Sequence, residues 1–253
     1  MRTVLLPAAL LVLTACGGEA ESDMPMAVAD ADPSGGASTG AAVAKSEVPA
    51  AATRADEAVP APDMTPVPEP EGSLATGEMA LGDPDAPLTV IEYASLTCPG
   101  CAAFHANHFQ AIKSELIDEG LVRFVYRELP TGPVNLSYAG SMLARCAATD
   151  AGAPAYFAVN DALFSRQRDW VYSANPGQAL EAIFAQVGLD RDAMQACLRR
   201  PALKAAVEAN AERAVEEGVQ GTPTLLVGGE PFDVRRDVDA VVADLRAMAE
   251  AAR

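Results

Sequence analysis

The sequence predicts an α/β fold: a sheet flanked by helices, with a helical subdomain inserted into it and a disordered tether ahead of it. Three observations predict this. All the aromatic residues (7 Phe, 5 Tyr, 1 Trp) fall at or after Tyr93, so the first third of the chain contributes little to a large side-chain core. An apolar, β-branched run from Leu88 to Ser95 leads into Cys98-Pro99-Gly100-Cys101 and then into a helical pattern. Far downstream, a second helical pattern precedes Gly221-Thr222-Pro223-Thr224, a hairpin pattern and a terminal helix.

The tether is read from composition. The chain has 253 residues, and its 50% hydrophobic content is inflated by 52 alanines. The length allows one or two domains, and the distribution of aromatics argues for one behind a tail. Gly17 to Gly72 carries eight prolines, six glycines and no aromatics. Such a segment cannot offset its chain entropy by burial, and flexible scaling gives it a reach of about 40 Å. Residues 16–75 are therefore expected as linker. The net charge of −17 disfavours a nucleic-acid partner, because no basic patch could dominate that field.

Ahead of the linker, Arg2 precedes the apolar stretch Val4 to Ala15, which is too short to span a bilayer and fits the core of a signal peptide over residues 1–15. It ends Leu13-Thr14-Ala15-Cys16, which resembles the bacterial lipobox. That resemblance implies cleavage before Cys16 and acylation of its thiol and amine, enough for stable anchoring. The alternative is an ordinary cleaved signal with Cys16 incidental. With Cys16 assigned to lipid, four of the five cysteines remain.

The first predicted strand, Leu88 to Ser95, reads as buried on both faces. The helix after it runs from Ala102 to Ile117, with Phe104, His108, Ile112 and Leu116 at spacing four and Gly120 as the stop. Cys98 thus sits at a strand-to-helix junction, with Pro99 at an early helical position where its missing N–H costs nothing. Unsatisfied N–H groups there favour a thiolate and lower its pKa. Cys101 lies one turn further in, close enough to resolve a mixed disulfide. Two alternatives compete. Cys98, Cys101, His105 and His108 have zinc-like identities, but the helix rises about 15 Å between the outermost pair, too far for four ligands to converge; no metal and no cofactor are expected. The other is a purely structural disulfide. His105 and His108 are read as packed helix histidines, with His105, one turn beyond Cys101, also a candidate for tuning the site.

Downstream, Leu121 to Leu129 reads as a strand. Helical patterns follow over 133–148, 153–167, 177–187 and 191–198, with breaks at Gly152, the Trp170 loop, Pro176 and Gly188. Pro201 to Glu217 is a helix with proline at its start and Gly218 at its stop. Leu225 to Phe232 reads as two short strands around Gly228-Gly229, and the last helix starts near Asp237. Pro223 at a strand entrance can be an ordinary trans proline.

Taken together, a strand, CPGC, a helix and, much later, GTPT with a hairpin and terminal helix resemble the thioredoxin fold of the DsbA family, and more closely its BdbD-type branch. The similarity covers roughly Met79 to the C-terminus, with the head at 76–253 and the helical insertion at about 133–200. The resemblance implies a thiol–disulfide oxidoreductase. It implies that Pro223 is cis, lies against the cysteine pair, and presents Thr222 to a substrate. It places an acidic residue beneath the site at Glu92, here expected as proton carrier for Cys101 with Arg123 or Arg127 as partners. A lone carboxyl in a buried strand is costly unless used or paired; the alternative is an edge-facing surface glutamate. It pairs Cys146 with Cys197 in the insertion, the alternative being two free thiols. Pro99-Gly100 departs from the family's usual Pro-His at the positions that tune the redox pair, which implies a milder oxidant.

The expected activity is oxidation of exported protein thiols by a monomeric, periplasm-facing lipoprotein in the cell envelope, re-oxidised by a DsbB-like or VKOR-like membrane partner. The alternatives are a reductase or isomerase fed by a DsbD-like partner, and a thioredoxin-fold lipoprotein that binds a client without turnover. Which of two membranes would hold it stays open.

Overall fold

In this computed structural model residues 64–253 are described; Cys16, the expected signal peptide and most of the expected linker lie outside them. Five strands form one sheet: β1 Met79–Leu81, β2 Leu88–Ala94, β3 Val122–Glu128, β4 Thr224–Val227 and β5 Glu230–Phe232. Their order is β1-β3-β2-β4-β5. β2 and β3 run parallel, and every other pairing is antiparallel. A parallel neighbour needs a crossover, which the helix after CPGC supplies. β1 lies inside the expected head but was not among the elements read from the sequence; at three residues it is too short to show a period.

The crossover alternates α1 Pro99–Phe104, a π-type turn His105–Phe109, α2 Gln110–Ile112 and a second π-type turn Lys113–Ile117. The wider turns rotate the buried stripe. Cys101, His105, Phe109, Ile112 and Leu116 face the core, whereas an unbroken α-helix would have placed His108 on it. His108 instead stays half-buried at the edge, its Nε2 3.0 Å from the Arg236 carbonyl and its ring stacked 5.8 Å from Phe104. Wide turns of this kind concentrate at functional sites.

Between β3 and the return to the sheet stand α3 Val134–Ala151, α4 Ala153–Ser165, α5 Gln167–Val171, α6 Pro176–Phe184 and α7 Arg191–Leu198, followed by α8 Pro201–Glu216; α9 Val238–Ala251 closes the chain. The single helix expected over 153–167 breaks at Arg166. α5 then carries Trp170, expected in a loop, into the core, where its Nε1–H donates to the Leu163 carbonyl at 2.9 Å.

A buried polar cluster ties the insertion to the sheet. Glu128, at the end of β3, accepts from Arg145 Nε at 2.6 Å and Nη2 at 2.8 Å, from Tyr156 Oη at 2.7 Å and from Asn210 Nδ2 at 2.6 Å. A buried ion pair is tolerable only when its remaining hydrogen-bonding capacity is filled, and these partners fill it. Arg145 also donates to the carbonyls of Ala75 and Gly77. The last residues of the expected linker are thus part of the folded body: Val67 N–H donates to the Arg199 carbonyl at 2.9 Å, Leu74 N–H to that of Thr149 at 3.0 Å, and Arg200 holds Glu69. Among the described residues no helix is long and apolar enough to cross a membrane.

Candidate active site

Cys98 occupies the N-cap of α1 and Pro99 the first helical position. The preceding loop is pinned by Gln167, whose Nε2 donates to the Leu96 carbonyl at 2.8 Å and the Cys98 carbonyl at 2.9 Å. Thr222-Pro223 is a cis bond. Across from it the Cys98 thiol donates to the Thr222 carbonyl at 3.4 Å. Gly100 faces the same proline: a Cβ built on it would stand 3.2 Å from Pro223 Cδ. The structure therefore brings Cys98, Pro99, Gly100, Cys101, Thr222 and Pro223 into one site.

The two thiols have opposed acidities. A hydrogen bond from Cys101, then contacts with Thr222 and the N–H groups of Cys101 and Gly100, lower Cys98 to about 5 against the opposing effect of burial. Cys101 is fully buried. Burial first, then the hydrogen bond to Cys98 and the negative charge of Glu92, push its pKa far up. Cys98 is thus the sulfur that ionises readily and Cys101 the one that keeps its proton.

Glu92 is fully buried, which removes the edge-facing reading. Its Oε2 lies 2.9 Å from His105 Nε2, and its Oε1 has no hydrogen-bond partner. Arg123 and Arg127 are not its partners. Glu92 pairs in register with Tyr126, and strand alternation turns the flanking odd positions to the opposite face. Arg123 there reaches Glu78 at 2.6 Å; Arg127 reaches the Tyr93 hydroxyl at 2.7 Å and Glu217 at 2.8 Å. The error was one of parity, since sequence gives no interstrand register.

His105 is buried beside this carboxylate, stacked on Phe164 at 4.2 Å. Its Nδ1 lies 3.9 Å from Asp161 Oδ1, close enough for attraction and too long for a direct hydrogen bond. Burial pushes His105 down, but the charge of Glu92 and the proximity of Asp161 outweigh it, raising it to about 9. Asp161 and Gln167 were missed from the sequence. Asp161 left one trace: it is the single charged residue in the otherwise apolar and neutral run Ala153 to Ser165.

The profile described as thioredoxin matches residues 74–246. The chain belongs to the thioredoxin family. Within it, the protein is DsbA-like. It is 28% identical over 178 residues to a protein named as a protein-disulfide oxidoreductase of Rickettsia typhi, covering 68% of this chain and 64% of that one. It is 26% identical over 174 residues to disulfide bond formation protein D of Bacillus subtilis, covering 65% of this chain and 74% of the relative. The crystal structure of Wolbachia pipientis alpha-DsbA1 superposes with a TM-score of 0.63 at 25% identity, covering 70% of this chain and 92% of that one.

Away from the reactive pair, the DsbA-like protein carries a disulfide between Cys146 of α3 and Cys197 of α7, with Cα atoms 5.9 Å apart. Arg200 Nη1 lies 3.2 Å from the Cys146 sulfur, which couples this bond to the Glu69 clamp. Two clefts are lined by residues of this site, one by Pro99 and the other by Thr222 and Pro223. The larger, about 780 Å³, is walled by Pro99, Ala102, Ala106, Phe164 and Tyr172 and reaches His105 and Asp161. The smaller, about 420 Å³, runs along Thr222, Pro223 and Phe232. Among the described residues no group of three or more His, Cys, Asp or Glu is arranged to hold a metal.

Proposed function

We propose that this DsbA-like protein is a thiol–disulfide oxidoreductase that forms disulfides in exported proteins through Cys98 and Cys101. The observation that carries this is the opposed acidity of the two sulfurs: Cys98 is lowered to about 5, and Cys101 is buried and pushed up.

The chemistry follows from that difference. In the oxidised protein a substrate thiolate attacks Cys98, the more exposed sulfur. The Cys98–Cys101 bond breaks, its electron pair stays on Cys101, and Cys101 takes a proton. A second substrate thiolate then attacks the substrate sulfur of the mixed disulfide. Cys98 leaves as a thiolate, and its low pKa makes it a good leaving group. The substrate is oxidised by two electrons and the protein is reduced by two. The same stabilisation of the thiolate favours the reduced protein and so makes its disulfide an oxidant.

Cys101 needs a proton in a site without water access, and Glu92 is read as its carrier. Glu92 is buried, acts on the Cys101 sulfur through its charge, and has one oxygen free of partners. The Thr222 carbonyl, facing Cys98 Sγ, is read as the backbone group that receives the substrate strand. The structural role falls to Cys146–Cys197.

Acylation of Cys16 would hold the protein at the envelope membrane, facing the periplasm, and a DsbB-like or VKOR-like membrane oxidase would restore the disulfide. Gly100 and Thr222 favour a second reading, a reductase or isomerase supplied by a DsbD-like partner, because glycine adds no thiolate-stabilising side chain. Oxidation of a reduced dithiol peptide, set against insulin reduction, separates the two, as does the redox state of Cys98–Cys101 in the cell: mostly oxidised under the first reading, mostly reduced under the second. Loss of neither activity on Cys98→Ser would sink both.

A further inference from the structure

The reading of Glu92 leaves open where its proton comes from, and the inference here rests on that reading. Glu92 Oε2 is 2.9 Å from His105 Nε2, and the other ring nitrogen, Nδ1, is 3.9 Å from Asp161 Oδ1. Three side chains from three elements, β2, the first π-type turn and α4, thus form a line of carboxylate, imidazole and carboxylate. His105 Nδ1 is buried and has no hydrogen-bond partner. Asp161, whose side chain is 41% exposed, is the end of the line that reaches the larger cleft.

We propose that His105 stores the proton that Cys101 takes up and returns through Glu92, and that Asp161 is the positioning residue that keeps the other ring proton on Nδ1. The groups facing the ring are Glu92 from β2, Tyr126 from β3 with ring centroids 6.2 Å apart, and Asp161 from α4; Cys101 lies one turn earlier on its own helix. Of these, the two carboxylates carry the charge, and their field favours imidazolium; Tyr126 keeps its proton. When the Cys98–Cys101 bond breaks, His105 gives its Nε2 proton to Glu92 and Glu92 gives one to the Cys101 thiolate. The ring is left neutral with its remaining proton on Nδ1, facing Asp161. When the disulfide re-forms, Cys101 loses its proton to Glu92, and Glu92 returns one to Nε2. Each half-cycle moves one proton along the same line in opposite directions, so the ring need not turn over. A neutral ring with its proton on the wrong nitrogen would present an N–H to Glu92 and could not take the proton back, which is the fault a carboxylate at Nδ1 prevents.

The chain has two histidines, so ¹⁵N-histidine spectra of the full-length protein resolve each ring, and His108→Gln assigns them. The companion measurement is the pH profile of single-turnover oxidation of a reduced dithiol peptide, for the unaltered protein, Asp161→Asn and Asp161→Glu. In Asp161→Asn, His105 is expected to titrate at lower pH, with its neutral form spread over both tautomers. The alkaline limb of the rate profile should move down by the same amount, with a rate loss of about tenfold between the two limbs. Asp161→Glu should restore both. The inference is overturned if Asp161→Asn leaves the His105 titration in place, or if that titration moves and the rate profile does not. The underlying reading fails separately: Glu92→Gln at the unaltered rate would remove Glu92 as carrier, and absence of peptide oxidation by the unaltered protein would remove the oxidoreductase. Either result also overturns the proton store.

Discussion

Gly100 and Pro223 face each other so closely that a Cβ on Gly100 would stand 3.2 Å from the proline Cδ and 3.6 Å from Cys98 Sγ. The second residue between the cysteines therefore contributes backbone to the thiolate and no side chain. Its N–H lowers Cys98, but the largest lowering effect comes from Cys101. A histidine at this place would add positive charge.

The reduction potential is expected to be more reducing than the roughly −120 mV of DsbA, read by equilibration with glutathione. Gly100→His should shift it towards the oxidising side, the proline giving by a few tenths of an ångström to admit the Cβ. A value at or above that of DsbA in the unaltered protein would remove Gly100 as the attenuating feature.

Cys98 should alkylate as a thiolate down to acid pH. Its midpoint is expected at about 5, measured by the pH dependence of iodoacetamide labelling or of thiolate absorbance in the reduced protein. The sign also gives a linkage. The folded pKa lies below the ordinary thiol value, so the stabilisation of the reduced protein is complete above that ordinary value and is lost as pH falls through about 5. The reduced form should thus lose stability relative to the oxidised form on acidification. A labelling midpoint near the ordinary thiol value would contradict the N-cap account.

His105 reverses that sign. Its folded pKa, about 9, lies above the ordinary imidazole value of about 6.5. Its contribution to stability is therefore complete below about 6.5 and is lost as pH rises through about 9. Denaturation of the oxidised protein, in which Cys98 is silent, should show a loss on the order of a few kcal/mol between pH 6 and pH 10. The pH dependence should flatten in His105→Gln. Equal slopes in the two proteins would show that the Glu92–His105 pair carries no net stabilisation.

What the sequence disclosed follows from what each signal encodes. The strand into CPGC and the helix patterns were legible because apolar periodicity and Pro and Gly punctuation are local properties. Helix α7 was read at its observed ends. Cys98 at a helix start was legible for the same reason. The partner of Glu92 was not, because β2–β3 register decides which face each side chain takes, and that is a property of two strands. Nor was the edge position of His108, because α-helical periodicity places it on the apolar stripe and does not anticipate a π-type turn. Asp161 and Gln167 reach the site from an insertion over sixty residues downstream of Cys98, joined to it only by packing. The segment around Glu69 looked like linker by composition, and its contacts with Arg199 and Arg200 depend on a surface that composition cannot see.

The Cys146–Cys197 bond joins α3 to α7 across a sequence separation of 51, and its value should be measurable apart from catalysis. Loop-closure entropy for a separation of this size corresponds to about 4 kcal/mol, with measured bonds usually giving about 2–5. The double variant Cys146→Ser, Cys197→Ser is expected to lose stability in that range in urea denaturation, compared on a Cys98→Ser, Cys101→Ser background so that no thiol can exchange. The Arg200 clamp makes a further distinction possible. Arg200 holds Glu69 and Thr149 and touches the Cys146 sulfur, so opening the bond should also loosen residues 64–75 from the insertion. Hydrogen exchange at the amides of Val67 and Leu74, which donate to Arg199 and Thr149, should quicken in the double variant, while exchange at the central β2 and β3 amides should change only as far as global stability does. If the double variant is as stable as its parent and those two amides are unchanged, the bond does not brace the insertion.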